Sequence, residues 1–145
     1  MRSKGANGVG RFSVEFEVTN SEDLVRAKDG TIPRDKVRRR TISGVVDPGA
    51  VTLVLPGTIV KDLGLPELKK MKVKYADGRR AQRSVVEAAR VELLGRCDTF
   101  SAIVEPKRET ALIGAAVLEV LDLLVDCKNQ KLIPRDPKGP IYEIE

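Results

Sequence analysis

The chain has 145 residues, of which 41% are hydrophobic, 32% charged and only 3% aromatic. This length suits one domain, and the composition requires a core of Val, Leu, Ile and Ala. No apolar run reaches the roughly 18 residues of a membrane span, and residues 1–10 lack the apolar stretch of a secretory signal. The lack of histidine excludes Ser-His and Cys-His catalysis and the usual zinc sites. We therefore predict a cytoplasmic protein with no membrane partner, metal or cofactor.

The net charge of +5 comes from basic residues that are interleaved with 21 acidic ones. The one dense basic cluster is Arg38-Arg39-Arg40, whose side chains would alternate between the two faces of a strand. This pattern favours a solvated or edge-protecting run over a binding stripe, and it disfavours nucleic acid as the partner. Cys97 and Cys127 have no metal or redox spacing, which predicts reduced, partly buried thiols.

The front half of the chain predicts a flexible lead-in, two strands and a short helix. Residues 1–10 form the lead-in, and residues 11–18 alternate apolar with polar side chains, which indicates a half-buried strand. Residues 19–35 are rich in turn formers and charge and predict a long connection. A second strand, residues 37–47, becomes fully apolar at its end and is broken by Asp47-Pro48-Gly49. A short helix then follows Pro56 and stops at Gly64.

The back half predicts hairpins and a second helix. Asp77-Gly78 is a strong two-residue hairpin turn and Gly95-Arg96 a weaker one. Residues 110–113 predict a buried strand ending at Gly114, residues 115–123 a short helix, and residues 123–134 a hairpin around Lys128-Asn129. The prediction is thus a mainly β fold with two short helices, each shortly after an apolar strand that ends at a glycine. This repetition suggests a loose internal pseudo-two-fold.

Asp47 is the carboxylate whose surroundings suggest chemistry. It leaves the end of an apolar strand and enters a tight turn, where Gly49 would let another backbone or carboxylate approach closely. Asp-Pro-Gly is also a common turn sequence, so the tripeptide alone leaves a purely structural turn open. The other aspartates predict surface or turn positions, namely Asp77, Asp98, Asp122, Asp126 and Asp136.

Several motifs in this order resemble the retropepsin-like (clan AA) aspartic proteases, and more narrowly their bacterial, non-viral branch. They are VVDPGA at 45–50, LGLP at 63–66, ADG at 76–78, ELLGR at 92–96 and ALIGAAVLEVLDLLVDCKNQKLIPRDP at 111–137. The resemblance runs from about Phe12 to Pro137. It implies a single-lobe acid-protease fold closed by homodimerisation. It places a retropepsin-like domain at 11–137 and a C-terminal tail at 138–145 that could add a strand to the dimer sheet.

The resemblance also implies an aspartic endopeptidase that acts on extended peptides. Two like charges about 3 Å apart cannot both ionise easily, so the mechanism needs two carboxylates sharing one proton. With one motif per chain, a symmetric dimer would supply Asp47 from each subunit. The implied site residues are catalytic Asp47; the loop Pro48, Gly49 and Ala50; the flap Tyr75, Ala76, Asp77, Gly78 and Arg79; and the second strand-glycine element Leu112, Ile113 and Gly114.

Pro48 departs from the family, which has Thr or Ser after the catalytic aspartate. That residue hydrogen-bonds across the dimer axis, whereas proline has no hydroxyl and no N–H. Ala115 also replaces the arginine of viral members. Three interpretations therefore stay open: an active dimeric peptidase, a dimer that binds peptides or a protein partner without efficient cleavage, and a small basic nucleic-acid-binding β-domain.

Overall fold

The computed structural model describes residues 11–145; the predicted lead-in lies outside them. No helix in this range is both long and apolar enough to span a membrane. The elements, in chain order, are β1 (Phe12–Asn20), α1 (Ser21–Lys28), a 3₁₀ turn (Arg34–Lys36), β2 (Arg39–Val46), β3 (Leu53–Pro56), α2 (Gly57–Leu63), β4 (Glu67–Lys74), β5 (Arg80–Leu93), β6 (Arg96–Glu105), β7 (Ala111–Ile113), α3 (Ala115–Val120), β8 (Leu123–Asp126) and β9 (Lys131–Pro134).

Six strands close into a barrel-like ring in the order β1-β2-β7-β3-β6-β5, because β5 pairs again with β1. β5 has 14 residues, enough to pair with β4 through its first half and with β1 through its second. A bulge between Val86 and Ala89, with Ala88 at φ 69°, marks the change of neighbour. β4 therefore lies outside the ring, at the edge of the sheet, as one arm of a hairpin with β5.

The core is aliphatic, as the composition predicts. Residues from all six strands of the ring and from helices α2 and α3 are buried in one cluster with Phe16, the single buried aromatic among residues 11–145. Strands β1, β2 and β7, helices α2 and α3 and the β8–β9 hairpin all fall where the sequence predicts them. The fully buried residues include Val18, Val46, Leu53, Leu63, Val91, Ile113 and Val117.

The connection predicted at residues 19–35 contains a helix, so residues 11–145 form three α-helices and not two. Asn20 caps α1: its Oδ1 accepts hydrogen bonds from the N–H groups of Glu22 at 2.9 Å and Asp23 at 3.1 Å. Its Nδ2 also donates to the Leu63 carbonyl at 2.8 Å. The polar residues that suggested turns are thus the start of a helix, with two acids in the first turn.

The second hairpin turn lies one residue earlier than predicted, at Leu94-Gly95. Both residues have positive φ, 53° and 75°, which suits a two-residue hairpin turn. Arg96 is instead buried at the start of β6, where its guanidinium donates to the carbonyls of Leu121 at 3.0 Å and Asp122 at 2.9 Å. The turn prediction was wrong because a buried arginine is not visible in local sequence.

One exposure prediction is wrong: Cys97 and Cys127 are exposed free thiols, not partly buried ones. Asp122 lies in a turn, which is one of the two positions predicted for it, but it is buried there, and Arg135 Nε donates to its carboxylate at 2.6 Å. All three residues of the arginine run are exposed as predicted, and Arg38 also forms an ion pair with Asp23. Residues 135–145 form neither helix nor strand, and their role in a dimer sheet stays a prediction.

Candidate functional site

Asp47 lies directly after the buried end of β2. Its N–H donates to the Ile113 carbonyl at 3.0 Å, which extends the parallel pairing of β2 with β7 by one residue. Its Oδ1 accepts the Gly49 N–H at 3.0 Å, and its carbonyl accepts the Ala50 N–H at 3.0 Å. The carboxylate is therefore fixed by its own turn, yet 13% of the side chain remains open to solvent. Asp47 is both a turn former and an available acid.

The loop after Asp47 wraps around the second strand-glycine element. β7 lies between β2 and β3, parallel to one and antiparallel to the other. Gly114 follows β7, and a Cβ there would overlap the Thr52 carbonyl oxygen and come within 2.7 Å of the Ala50 oxygen. The first N–H groups of α3, from Ala115 and Ala116, donate to the carbonyls of Ala50 at 2.8 Å and Val51 at 2.9 Å. The two motifs that carry the resemblance thus meet in space.

Arg11 contacts Asp47, and no pattern in the sequence predicts this contact. Arg11 Nη2 lies 3.2 Å from Asp47 Oδ2, with 60% of the arginine side chain exposed. The cause is strand register. Phe12 of β1 pairs with Val46 of the antiparallel strand β2, so Arg11, which precedes Phe12, lies opposite Asp47, which follows Val46. No local spacing predicts a pairing of strands so far apart in the chain.

The β4–β5 hairpin turns at Asp77-Gly78 as predicted, but its loop has three residues, 76–78, and not the two predicted. Tyr75 donates its N–H to the Arg79 carbonyl at 2.8 Å and accepts the Gly78 N–H at 2.9 Å. The Asp77 carboxylate accepts the N–H of Arg79 at 2.9 Å and its Nε at 2.8 Å. The side-chain hydrogen bond from Arg79 lowers the pKa of Asp77. Gly78 takes φ 90°, which only glycine adopts without strain.

A polar cluster that sequence analysis missed docks this hairpin onto β6. The Tyr75 hydroxyl donates to Glu105 Oε2 at 2.6 Å, and Arg83 Nε donates to Glu105 Oε1 at 2.7 Å. Burial raises the pKa of Glu105, but the bonds from Tyr75 and Arg83 outweigh it and leave that pKa below its ordinary value. The hydrogen bond to Glu105 raises the pKa of Tyr75. The Arg79 guanidinium also lies 4.7 Å from the centre of the Tyr75 ring.

A cavity of about 600 Å³ lies between the hairpin and the loop after Asp47. Ala50, Val51 and Thr52 of that loop border the cavity. The first of these residues is three positions after Asp47 in the sequence. Glu105 and Tyr75 border its other end. Several of its other lining residues are apolar, and cationic side chains border it as well. The apolar ones are Val54, Met71, Val73, Val85, Ile103 and Leu112. The space suits apolar side chains held beneath a strand hairpin.

No protein-family model matches the sequence, and no curated protein matches it either. Among solved structures, the solution structure of the simian foamy virus (mac) protease is similar to this chain, with 17% identity and a TM-score of 0.47. The similarity covers 74% of this chain and 91% of the viral one. It concerns the path of the backbone only.

Proposed function

We propose that the chain is an aspartic endopeptidase that acts as a symmetric homodimer, with one Asp47 from each subunit at the axis. The observation that carries this proposal is the position of Asp47: it is fixed at the end of a buried strand and partly open to solvent, and the loop that follows it borders a cavity that the β4–β5 hairpin also lines. A turn-forming aspartate with no chemical role would need neither the cavity nor the hairpin.

The chemistry follows from one carboxylate per subunit. When two Asp47 carboxylates share a proton, the ionised one takes a proton from water, and the protonated one donates a hydrogen bond to the carbonyl oxygen of the peptide bond. The resulting hydroxide adds to the carbonyl carbon as the protonated Asp47 gives its proton to the carbonyl oxygen. The tetrahedral intermediate then collapses: the C–N bond breaks as the Asp47 that took a proton from water gives it to the leaving nitrogen, and the other Asp47 takes a proton back from a hydroxyl of the intermediate. An extended substrate would bind through strand-like backbone hydrogen bonds, with its apolar side chains in the cavity.

The Arg11–Asp47 contact favours a second function, a dimer that binds extended peptides without efficient cleavage. Arg11 Nη2, 3.2 Å from Asp47 Oδ2, already forms an ion pair with this carboxylate, whereas a dyad pairs the carboxylate with a second one. Pro48 points the same way, since it has no N–H or hydroxyl for bonds across the axis.

Digestion of an unstructured protein from about pH 4 to 8, where a shared-proton dyad titrates, tests the proposal. Wild type is compared with Asp47→Asn, and with Asp98→Asn as the matched control at an exposed carboxylate of β6. We expect cleavage by the wild type and the control and none by Asp47→Asn. Cleavage that persists in Asp47→Asn would exclude Asp47 as the catalytic acid. A folded dimer that never cleaves would favour the peptide-binding function.

A further inference from the structure

The border of the cavity carries unpaired positive charge. Four cationic side chains border it: Lys69, Lys72 and Lys74 from β4, and Arg108 from the segment after β6. Within residues 11–145, none of the four lies within 4.0 Å of a carboxylate oxygen, although eight other ion pairs form. Arg108 donates instead to the Thr110 carbonyl and hydroxyl.

The acidic groups near these cations are already engaged. Among residues 11–145, Glu105 is the one carboxylate that borders the cavity, and it accepts hydrogen bonds from Tyr75 and Arg83. Within residues 67–86, where β4 pairs with β5, Glu67 binds Lys70 and Asp77 binds Arg79. This stretch has no other carboxylate to neutralise the three lysines, and Glu87, the next residue of β5, does not border the cavity.

Strand pairing places one of these four cations directly opposite another cation, which does not itself border the cavity. In the β4–β5 register, Lys74 is the partner of Arg80, and like charges opposite each other destabilise a sheet. An anion bound between them would remove this repulsion. Lysines on an edge strand also prevent sheet-to-sheet aggregation, and β4 is an edge strand. Edge protection does not account for Arg108, which lies on another segment of the same border.

We propose that this cationic border selects acidic polypeptide segments, in which an apolar side chain enters the cavity and flanking Asp or Glu residues contact Lys72, Lys74 and Arg108. The proposal rests on the proposed function only in taking an extended peptide as the ligand. Nucleic acid fits less well, because several of the lining residues are apolar and the Tyr75 ring is already covered by Arg79, which leaves no aromatic face for base stacking.

The test is peptide binding by the full chain carrying Asp47→Asn, which prevents cleavage from affecting the readout. Two fluorescent peptides share one central leucine and differ only in flanking Glu or Lys residues. We expect the acidic peptide to bind about tenfold more tightly at low salt, since two or three exposed ion pairs each contribute a few-fold. This preference should decrease as salt rises.

Charge reversal provides the matched variants. Lys72→Glu with Lys74→Glu should abolish or invert the preference, whereas Lys36→Glu with Lys138→Glu, at two exposed lysines that do not border the cavity, should leave it unchanged. Thermal unfolding of both double variants confirms that they fold. Equal binding of the two peptides would overturn the inference, and so would tighter binding of single-stranded DNA of equal charge. A charge preference without cleavage by wild type would leave this inference standing and overturn only the peptidase.

Discussion

Pro48 is the residue of the Asp47 loop that departs from the aspartic-protease pattern, and it can be tested separately from the fold. Pro48→Ser restores an N–H and a hydroxyl, each able to form a bond across the axis worth about 1 kcal/mol. We therefore expect up to about tenfold tighter dimerisation and faster cleavage. The monomer should lose roughly 0.4–1 kcal/mol of stability, because serine gives the unfolded chain more freedom.

Sedimentation and cleavage rates measure the two effects of Pro48→Ser. Pro137→Ser, at an exposed position of the tail, serves as the control for the loss of a proline. If Pro48→Ser lowers both the affinity of the dimer and the free energy of unfolding of the monomer, the serine forms no bond across the axis and residue 48 has only its turn-forming role.

Asp23 is the buried acid that joins α1 to the start of β2. Only 4% of its side chain is exposed. Its carboxylate accepts the N–H of Arg38 at 3.0 Å and the guanidinium at 2.9 and 3.1 Å. The side-chain hydrogen bonds from Arg38 lower the pKa of Asp23 below its ordinary value of 3.8. The folded state therefore gains stability above that value, and it loses the gain as pH falls through the lowered pKa.

We expect Asp23→Asn to reduce the free energy of unfolding at pH 7 by about 1–3 kcal/mol, because the hydrogen bonds to an ionised group weaken. The difference from wild type should shrink as pH falls below about 4, where wild-type Asp23 also loses its charge. Urea unfolding at several pH values measures this, with Asp35→Asn as the exposed control. A difference that stays constant down to pH about 2 would contradict the assigned role of the charge.

At the scale of elements, the docking of the β4–β5 hairpin depends on Glu105. Glu105→Gln keeps the shape of the side chain but removes the charge that binds Tyr75 and Arg83. Losing a charge-assisted hydrogen bond should make local opening of the hairpin about tenfold more frequent. Hydrogen exchange of the amides in residues 70–83 measures this opening without any reference to catalysis.

Two further variants test the docking of the hairpin. Tyr75→Phe, which removes one of the two donors, should have a smaller effect than Glu105→Gln. Glu109→Gln, at an exposed carboxylate on the next segment, should have none. Unchanged exchange in Glu105→Gln would mean that the strand pairing of β4 with β5 alone holds the hairpin in place.

Sequence patterns predicted the elements whose signals are local, and they missed those whose causes are distant. The alternation in β1 and the Asp-Gly turn at residue 78 depend on neighbouring residues and were correct. Helix α1 was missed because its stability depends on contacts across the fold, such as the bond from Asn20 to the Leu63 carbonyl. At the site, the positions of Asp47 and Gly114 were predicted. The contacts of Arg11 and Glu105 come from strand register and from a partner 30 residues away.

At the scale of the whole molecule, two surfaces are left unpaired or exposed by residues 11–145 and could contact a second subunit. The first is the outer edge of β1 at residues 12–16, since β5 pairs only with residues 17–20. The second is the tail, where Ile141, Tyr142 and Ile144 are 55%, 59% and 88% exposed. The tail is nevertheless anchored: the Tyr142 hydroxyl donates to the Val120 carbonyl at 2.6 Å, and the Ile141 N–H donates to Asp122 at 3.1 Å. An anchored segment with exposed apolar side chains is suited to an interface.

If the tail forms part of the dimer, Ile144→Ser should weaken dimerisation by about ten- to a hundredfold, because burying an isoleucine side chain is worth roughly 1.5–3 kcal/mol. This substitution leaves both anchoring hydrogen bonds of the tail in place, which deletion of residues 141–145 would not. Leu68→Ser, at a β4 residue that is 52% exposed, is the control for loss of an exposed apolar side chain. Sedimentation across a dilution series gives the dissociation constants. Equal constants for wild type and Ile144→Ser would remove the tail from the interface and leave the free edge of β1 as the remaining candidate. A protein that stays monomeric throughout the series could not form the Asp47 dyad, and the peptidase proposal would then fail with it.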